Sequence, residues 1–272
     1  SKKLTSNAEL PPVEIWWDAK SVAQRALANP VSDSRETTVE RLDEILTEAV
    51  RHRMLSDVPL GAFLSGGIDS SLVCALMQKQ SNRPIQTFTI GFEEASYNEA
   101  DHAKKIAEHL GTDHTEYYVT PNEARDVIPR LPEMYDEPFA DSSQIPTFLI
   151  SQLARQHVTV ALSGDGGDEL FGGYNRYFHI RDRWQQLSRI PGRKLVSKML
   201  AVPGNLLAGR WRDRFLYRAK LLGMNSAGSL YQNANLHWPP TGNLVLNSAD
   251  ADSTYWNQDA WLQTGNPIEE WM

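Results

Sequence analysis

An α/β fold, in which a mainly parallel sheet is flanked by helices and followed by a helical C-terminal subregion, is predicted by three observations. Short apolar runs alternate with stretches whose apolar residues recur every three or four positions, the rhythm of strands and amphipathic helices in turn. Two of those runs end in glycine- and serine-rich corners, at the carboxyl ends of strands, where open parallel sheets place ligands. Beyond Tyr177 the strand signal fades and the sequence turns helical, basic and tryptophan-rich, with six of the eight tryptophans after residue 180.

Taken in order, residues 1–34 carry Pro11, Pro12, Asn29 and Pro30 with little periodicity, which reads as a linker or docking arm. Within it, Trp16 and Trp17 beside Asp18 suit either an anchor for a neighbouring domain or a local staple. From Glu36 to Met54, Val39, Leu42, Ile45, Leu46, Ala49 and Val50 give an amphipathic helix that Asp57 and Pro59 close. Strands are expected at Leu60–Leu64, Ile85–Ile90, Glu116–Val119 and Val158–Leu162. Between and around them fit helices at Ser70–Gln80, Asn98–Leu110 with Gly111 as its stop, Glu123–Tyr135 and Ser142–Gln156. Residues 35–180 then form the core and 181–272 a helical continuation, with no repeat of solenoid period.

Composition narrows the functional classes. With 272 residues, 41% of them apolar, the chain can bury a large core, and its net charge of −7 argues against a general nucleic-acid or membrane binder. Twelve of the 27 Lys and Arg nevertheless lie between Arg176 and Lys220, opposed only by Asp182 and Asp213. There they alternate with Trp184, Leu187, Ile190, Leu195 and Met199, so the stretch reads either as the solvated face of amphipathic helices or as an anion or RNA surface. No run approaches twenty apolar residues, and "SKKLTSNAELPP" lacks an apolar signal core, so a soluble, cytoplasmic protein is expected. Cys74, the sole cysteine, stands at helical spacing among Leu72, Val73 and Leu76 and is expected in the core. The seven histidines show no metal-binding pairing.

The chemistry is concentrated in the two corners. In "LGAFLSGGIDSSLVCALMQ" an apolar strand feeds a small, hydroxylated turn that opens a helix, which places backbone N–H groups at the positive end of the helix dipole. Gly66 and Gly67 let the backbone approach a phosphate, and Ser65, Ser70 and Ser71 add hydroxyls. No lysine follows as in a Walker loop, and the spacing is not that of a dinucleotide fingerprint. Asp69 would repel a phosphate unless a divalent cation stood between them, so it is a candidate magnesium ligand. The plainer alternative is a tight turn with Asp69 as a helix cap. In "VTVALSGDGGDELFGGYNRY" a second strand ends in Ser163 and Gly164, and Asp165, Asp168 and Glu169 crowd into five positions, where they repel one another unless a cation or cationic ligand is present. A calcium turn or surface loop is the alternative there. The two corners are expected to face each other across one cleft.

With "DVPLGAFLSGGIDSS", "TFTIGFEEASYNEADHAKKIAEHLGTDH", "DEPFADSSQIPT" and "VALSGDGGDELFGGYNRY", the sequence resembles the synthetase domain of glutamine-dependent asparagine synthetases, members of the ATP-pyrophosphatase (PP-loop) group. The resemblance covers residues 36–180 and, more weakly, the helical region after them. It implies ATP and Mg2+ as cofactors and amide formation in two steps: the side-chain carboxylate of aspartate attacks the α phosphorus of ATP, and ammonia then attacks the acyl adenylate. Carried over by position, Ser65, Gly66, Gly67, Ser70 and Ser71 bind pyrophosphate, Asp69 and Asp168 hold magnesium, and Leu64, Ile90, Ser163 and Gly164 line the adenosine site. The partners implied are aspartate, ammonia and a glutaminase domain as ammonia source, and a homodimer is left open.

Three departures from the family pattern stand out. Asp165, a candidate catalytic residue, occupies a position where the family often has glutamate; the side chain is shorter by about 1.5 Å. The sequence starts at Ser1, without the N-terminal cysteine nucleophile of a glutaminase, and no segment before Met272 matches the family's later catalytic lysine. The chain is therefore expected to be a truncated domain. Three readings remain: a ligase of asparagine synthetase type; the same chemistry on another carboxylate, such as that of a sugar nucleotide, or an internal cyclisation like that of β-lactam synthetase; and a noncatalytic nucleotide-binding module.

Overall fold

The computed structural model describes residues 14–92, 99–136, 141–206 and 209–235. Four strands, β1 (Leu60–Phe63), β2 (Gln86–Phe92), β3 (Asp113–Val119) and β4 (Val160–Leu162), form one all-parallel sheet in the order β3-β2-β1-β4. Among the described residues the fold is therefore the α/β class expected, with each crossover made by helices. The chain moves from β1 to β2 to β3 on one side and returns with β4 on the other side of β1. The order reverses between β1 and β4, which makes the mouth between their carboxyl ends the switch point.

Both faces of the sheet are covered, as parallel strands require. On one face Ala62 and Leu64 pack with Cys74, Leu76 and Met77 of α3 (Ile68–Lys79), Ala103 and Ala107 of α4 (Ala100–Leu110), and Val50 of α2 (Arg35–Arg53). On the other, Phe63 and Phe88 meet Ala154, Ile150 and Leu153 of α7 (Gln144–Ala154), while Val119 meets Val127 of α5 (Pro121–Val127) and Leu149. Cys74 is fully buried, as its spacing predicts, and burial pushes its thiol up to about 12, which leaves it unreactive.

Several elements differ from expectation for identifiable reasons. The helix expected over Glu123–Tyr135 starts earlier, at Pro121, because Thr120 and Glu123 form a capping box: Thr120 Oγ1 accepts from Glu123 N, and Glu123 Oε2 accepts from Thr120 N at 2.8 Å. It then breaks into a 3₁₀ turn, Ile128–Arg130, and a single turn α6 (Leu131–Met134), since Pro129 and Pro132 each remove an N–H from the ladder. The arm at 1–34 holds a helix, α1 (Ala19–Ala28), opened by Asp18, whose carboxylate accepts from Ser21 N at 2.9 Å. In front of it Trp16 is 96% exposed. Gly111 ends α4 in the left-handed conformation, as expected. Asn98, expected to begin that helix, lies outside the described residues, as does Tyr97.

After β4 come α8 (Gly167–Phe171), α9 (Asn175–Ser188), α10 (Arg193–Leu206), α11 (Gly209–Gly223) and α12 (Ala227–Asn235). Ile180, Leu221, Met224 and Leu230 make a separate cluster with Trp184 and Leu187. Leu195 and Met199 do not join it, and both remain 65% exposed. Two side chains of α10 bond to the backbone of α11: Arg193 Nη1 donates to Leu222 O at 2.9 Å, and Ser197 Oγ donates to Ala219 O at 2.6 Å. No described helix is long and apolar enough to cross a membrane.

Candidate functional site

The two small-residue corners leave the carboxyl ends of adjacent strands and close on each other. Leu64 N donates to Phe88 O at 2.9 Å, which carries the β1 pairing one residue beyond the strand before the chain turns. Gly66 then adopts a left-handed conformation, φ +82°, and a side chain there would lie 3.0 Å from Ala103 N, so conformation and space both select glycine. Gly67 caps α3 with no side-chain hydrogen bond. The first turn of α3 thus offers backbone N–H groups to a ligand. Gly164, in the second corner, lies against this same turn. A Cβ on Gly164 would sit 2.6 Å from Ser70 N, and one on Gly167 would sit 2.4 Å from Asp69 Cγ.

The result is a cleft of ≈ 680 Å³ at the β1–β4 switch point. Of the residues singled out in the sequence, it brings together Ser65, Gly67, Asp69, Ser70, Gly164, Asp165, Asp168 and Glu169. Leu64 is instead fully buried in the core beneath the loop, where its carbonyl accepts from Thr89 Oγ1. Ile90 packs with the Val119, Val127 and Leu149 cluster. Ser163 stands one residue behind the wall, and its Oγ donates to Asp165 Oδ2 at 3.0 Å. A second hollow, ≈ 640 Å³ at the amino ends of the strands, holds none of these residues.

The loop hydroxyls hold the turn in shape. Ser65 N donates to Ser70 Oγ at 3.1 Å, Gly67 N donates to Ser65 Oγ at 3.3 Å, and Ser71 Oγ donates to Gly67 O at 2.6 Å. These contacts are local, so a phosphate oxygen can exchange for them without disturbing the strand or the helix. On the second corner Gly166, φ +92°, opens α8 and Gly172, φ +66°, closes it after five residues. Gly173 folds back so tightly that a Cβ there would fall 1.9 Å from Asp168 Oδ1.

The cleft walls carry Asp69, Glu99, Asp165, Asp168 and Glu169, and no Lys or Arg among the described lining residues. Bare polyphosphate is repelled by such a wall and would need a divalent cation beside it. Among the described residues no three His, Cys, Asp or Glu side chains converge as a metal cage. Two carboxylates on facing corners, with the remaining positions left to phosphate and water, are the donor set that magnesium takes beside a nucleotide. Asp69 and Asp168 fit that role, each with a glycine backed against its carboxylate.

Across its 41–270 span the chain matches a family model described as Asparagine synthase. The chain belongs to the asparagine synthase family. Among curated asparagine synthetases, it is 32% identical over 256 residues to asparagine synthetase [glutamine-hydrolyzing] 1 of Bacillus subtilis, covering 90% of this chain and 39% of that protein. It is 44% identical over 176 residues to putative asparagine synthetase [glutamine-hydrolyzing] 2 of Methanocaldococcus jannaschii, covering 62% of the chain and 34% of the relative. To the human asparagine synthetase [glutamine-hydrolyzing] it is 38% identical over 154 residues, 53% of the chain and 27% of the relative. The chain thus spans about two fifths or less of the length of these asparagine synthetases.

Among the wall residues that escaped the sequence reading are Glu99 and Tyr174. Glu99 stands beside an expected helix start with nothing in its neighbours to mark it. Tyr174 follows the double glycine of "FGGYNRY"; its hydroxyl donates to Glu169 Oε1 at 2.9 Å, and that bond holds the phenol up to about 12. A tyrosine directly after a double glycine, three residues past Phe171, was the available signal.

Proposed function

We propose that the chain is the synthetase domain of an asparagine synthetase-like amidotransferase, an ATP-dependent carbon–nitrogen ligase that activates the side-chain carboxylate of aspartate and amidates it with ammonia. The observation that carries this reading is the junction of the two corners, with Gly164 against the first turn of α3 at the switch point. Family membership agrees with it.

In this reading a carboxylate oxygen of aspartate attacks the α phosphorus, a P–O bond breaks, and pyrophosphate leaves. Ammonia then attacks the acyl carbon; the bond to AMP breaks, and the nitrogen gives up a proton as the amide forms. The backbone N–H groups from Ser65 to Ser70 hold the departing pyrophosphate, where the negative charge grows. Ser65, Ser70 and Ser71 exchange their internal hydrogen bonds for phosphate oxygens. Asp69 and Asp168 hold magnesium, which when bound supplies the positive charge that screens phosphate from the acidic walls. Asp165 sits at the mouth, where it orients the acceptor and the incoming ammonia. Ammonia itself comes from a glutaminase domain, in keeping with the glutamine-hydrolysing relatives.

Asp165 also supports a second reading, in which the acceptor is a carboxylate other than free aspartate. Its carboxylate accepts from Ser163 Oγ at 3.0 Å and so is tied to its own loop, on a side chain one carbon shorter than glutamate. A displacement near 1 Å is enough to cost about a hundredfold in rate.

Exchange of labelled pyrophosphate into ATP, run on the chain and on a form extended past Met272, separates the readings. Aspartate-dependent exchange is the expected result. Exchange with other carboxylates but not aspartate selects the second reading, and ATP binding without exchange in either form selects a nucleotide-binding module.

A further inference from the structure

Two surface helices carry exposed charge of opposite sign at the same spacing, and the proposed reaction uses neither. On α2, Glu36, Glu40 and Glu44 recur every four residues. On α11, Arg210, Arg214 and Arg218 do the same. Residues four apart on a helix lie in one row, stepping about 6 Å along the axis, so the two rows match in length and spacing. Left alone, each row is unfavourable, because like charges at this spacing repel.

Neither row is neutralised within the chain. Other acidic residues of α2 are occupied: Asp43 pairs with Lys79 at 3.2 Å, and Glu48 with Arg51 at 2.6 Å. Among the described residues no ion pair reaches Glu36, Glu40 or Glu44, nor Arg210, Arg214 or Arg218, and all six are exposed. Different residues hold the helices to the body. In α2, Val50 is buried with Leu46 against it, and Gln80 Nε2 donates to Thr47 O at 3.1 Å; in α11, Ala219 and Leu221 are buried. Apolar surface accompanies both rows. Ile45 beside Glu44 and Trp211 beside Arg210 are each 63% exposed, and the Arg214 guanidinium carbon lies 5.5 Å from the centre of the Trp211 ring. Tryptophan and arginine together are the residues that most often anchor a protein interface.

We propose that two copies of this chain associate through these surfaces, with the acidic row of α2 in one copy against the basic row of α11 in the other. An RNA or an anionic membrane would answer the basic row alone, whereas a second copy answers both. About a two-fold axis the contact forms twice and closes the pair. Rows of four-residue spacing are also the ridges by which packed helices interdigitate. Exposed ion pairs add little affinity each, so they set register and selectivity while Trp211 and Ile45 supply buried area. The proposal is independent of nucleotide binding, since neither helix is among the described lining of the cleft.

Sedimentation velocity on the full chain tests it. A dimer at about 0.05 M salt that dissociates toward monomer near about 0.5 M is expected, because screening shortens the reach of exposed charges. Glu40→Arg with Glu44→Arg is expected to be monomeric, and so is Arg214→Glu with Arg218→Glu, each folded by circular dichroism. Mixed in equal amounts, the two variants are expected to recover the dimer, since both contacts of the mixed pair regain opposite charges. Trp211→Ala weakens the dimer about tenfold. A chain still monomeric at low salt and about 100 μM protein overturns the proposal, whether or not it binds RNA or anionic vesicles. A dimer that survives either double variant overturns it as well, and so do two monomeric variants that fail to recover on mixing.

Discussion

Gly164 leaves no room for a side chain, since a Cβ would sit 2.6 Å from the amide nitrogen of Ser70 and 2.9 Å from the carbonyl carbon of Asp69. Backbone on both sides of that contact means relief requires the two corners to part. Gly164→Ala is expected to cost about 1–3 kcal/mol in chemical denaturation and to weaken ATP binding, whereas Gly192→Ala, with nothing within 4 Å, carries only the left-handed backbone cost and leaves binding alone. Asp69→Ala and Asp168→Ala together are expected to abolish magnesium-dependent nucleotide binding; a magnesium dependence that survives both changes contradicts their assignment. These residues were legible in the sequence because small residues, hydroxyls and carboxylates after an apolar strand have few other uses. Glu99 and Tyr174 were not, because their meaning comes from what lies opposite them in space.

At the level of elements, the capping box that opens α5 ties the helix to the sheet through Tyr117, whose hydroxyl donates to Glu123. Thr120→Ala is expected to cost about 1 kcal/mol in denaturant titrations. Hydrogen bonds from Tyr117 and Thr120 hold the Glu123 carboxyl at about 2, against 4.5 in the unfolded chain. Between those values the unfolded state binds more protons than the folded one, so this stabilisation is present above 4.5 and is lost as pH falls toward 2. Glu123→Gln should flatten that part of the stability profile. The strands and most helices were legible from periodicity, whereas the break at Pro129 and Pro132 required weighing proline against an apolar pattern. The exposed Leu195 and Met199 show where periodicity misleads: α10 is amphipathic, yet Arg193 and Ser197 bond to α11 while Leu195 and Met199 stay in solvent. Met199→Lys is accordingly expected to move stability by no more than about 0.5 kcal/mol, while Leu230→Ala in the buried cluster costs about 2–5 kcal/mol.

For the whole molecule, strand order matters more than strand content. Alternation predicts a parallel sheet but cannot order it; only the placement of β4 beside β1, rather than beyond β3, brings residues 65–71 and 163–168 to one mouth. That mouth has acidic walls without a lysine or arginine among its described residues, so the nucleotide binding proposed for it would require a divalent cation. The most direct measurement is a titration of Mg2+–ATP followed at the backbone amides of both corners by NMR. A single midpoint is predicted, with Ser65–Ser71 and Ser163–Asp168 shifting together and neither responding to ATP once magnesium is chelated. Response of one corner alone, separate midpoints, or an undiminished response without magnesium would contradict a shared nucleotide site.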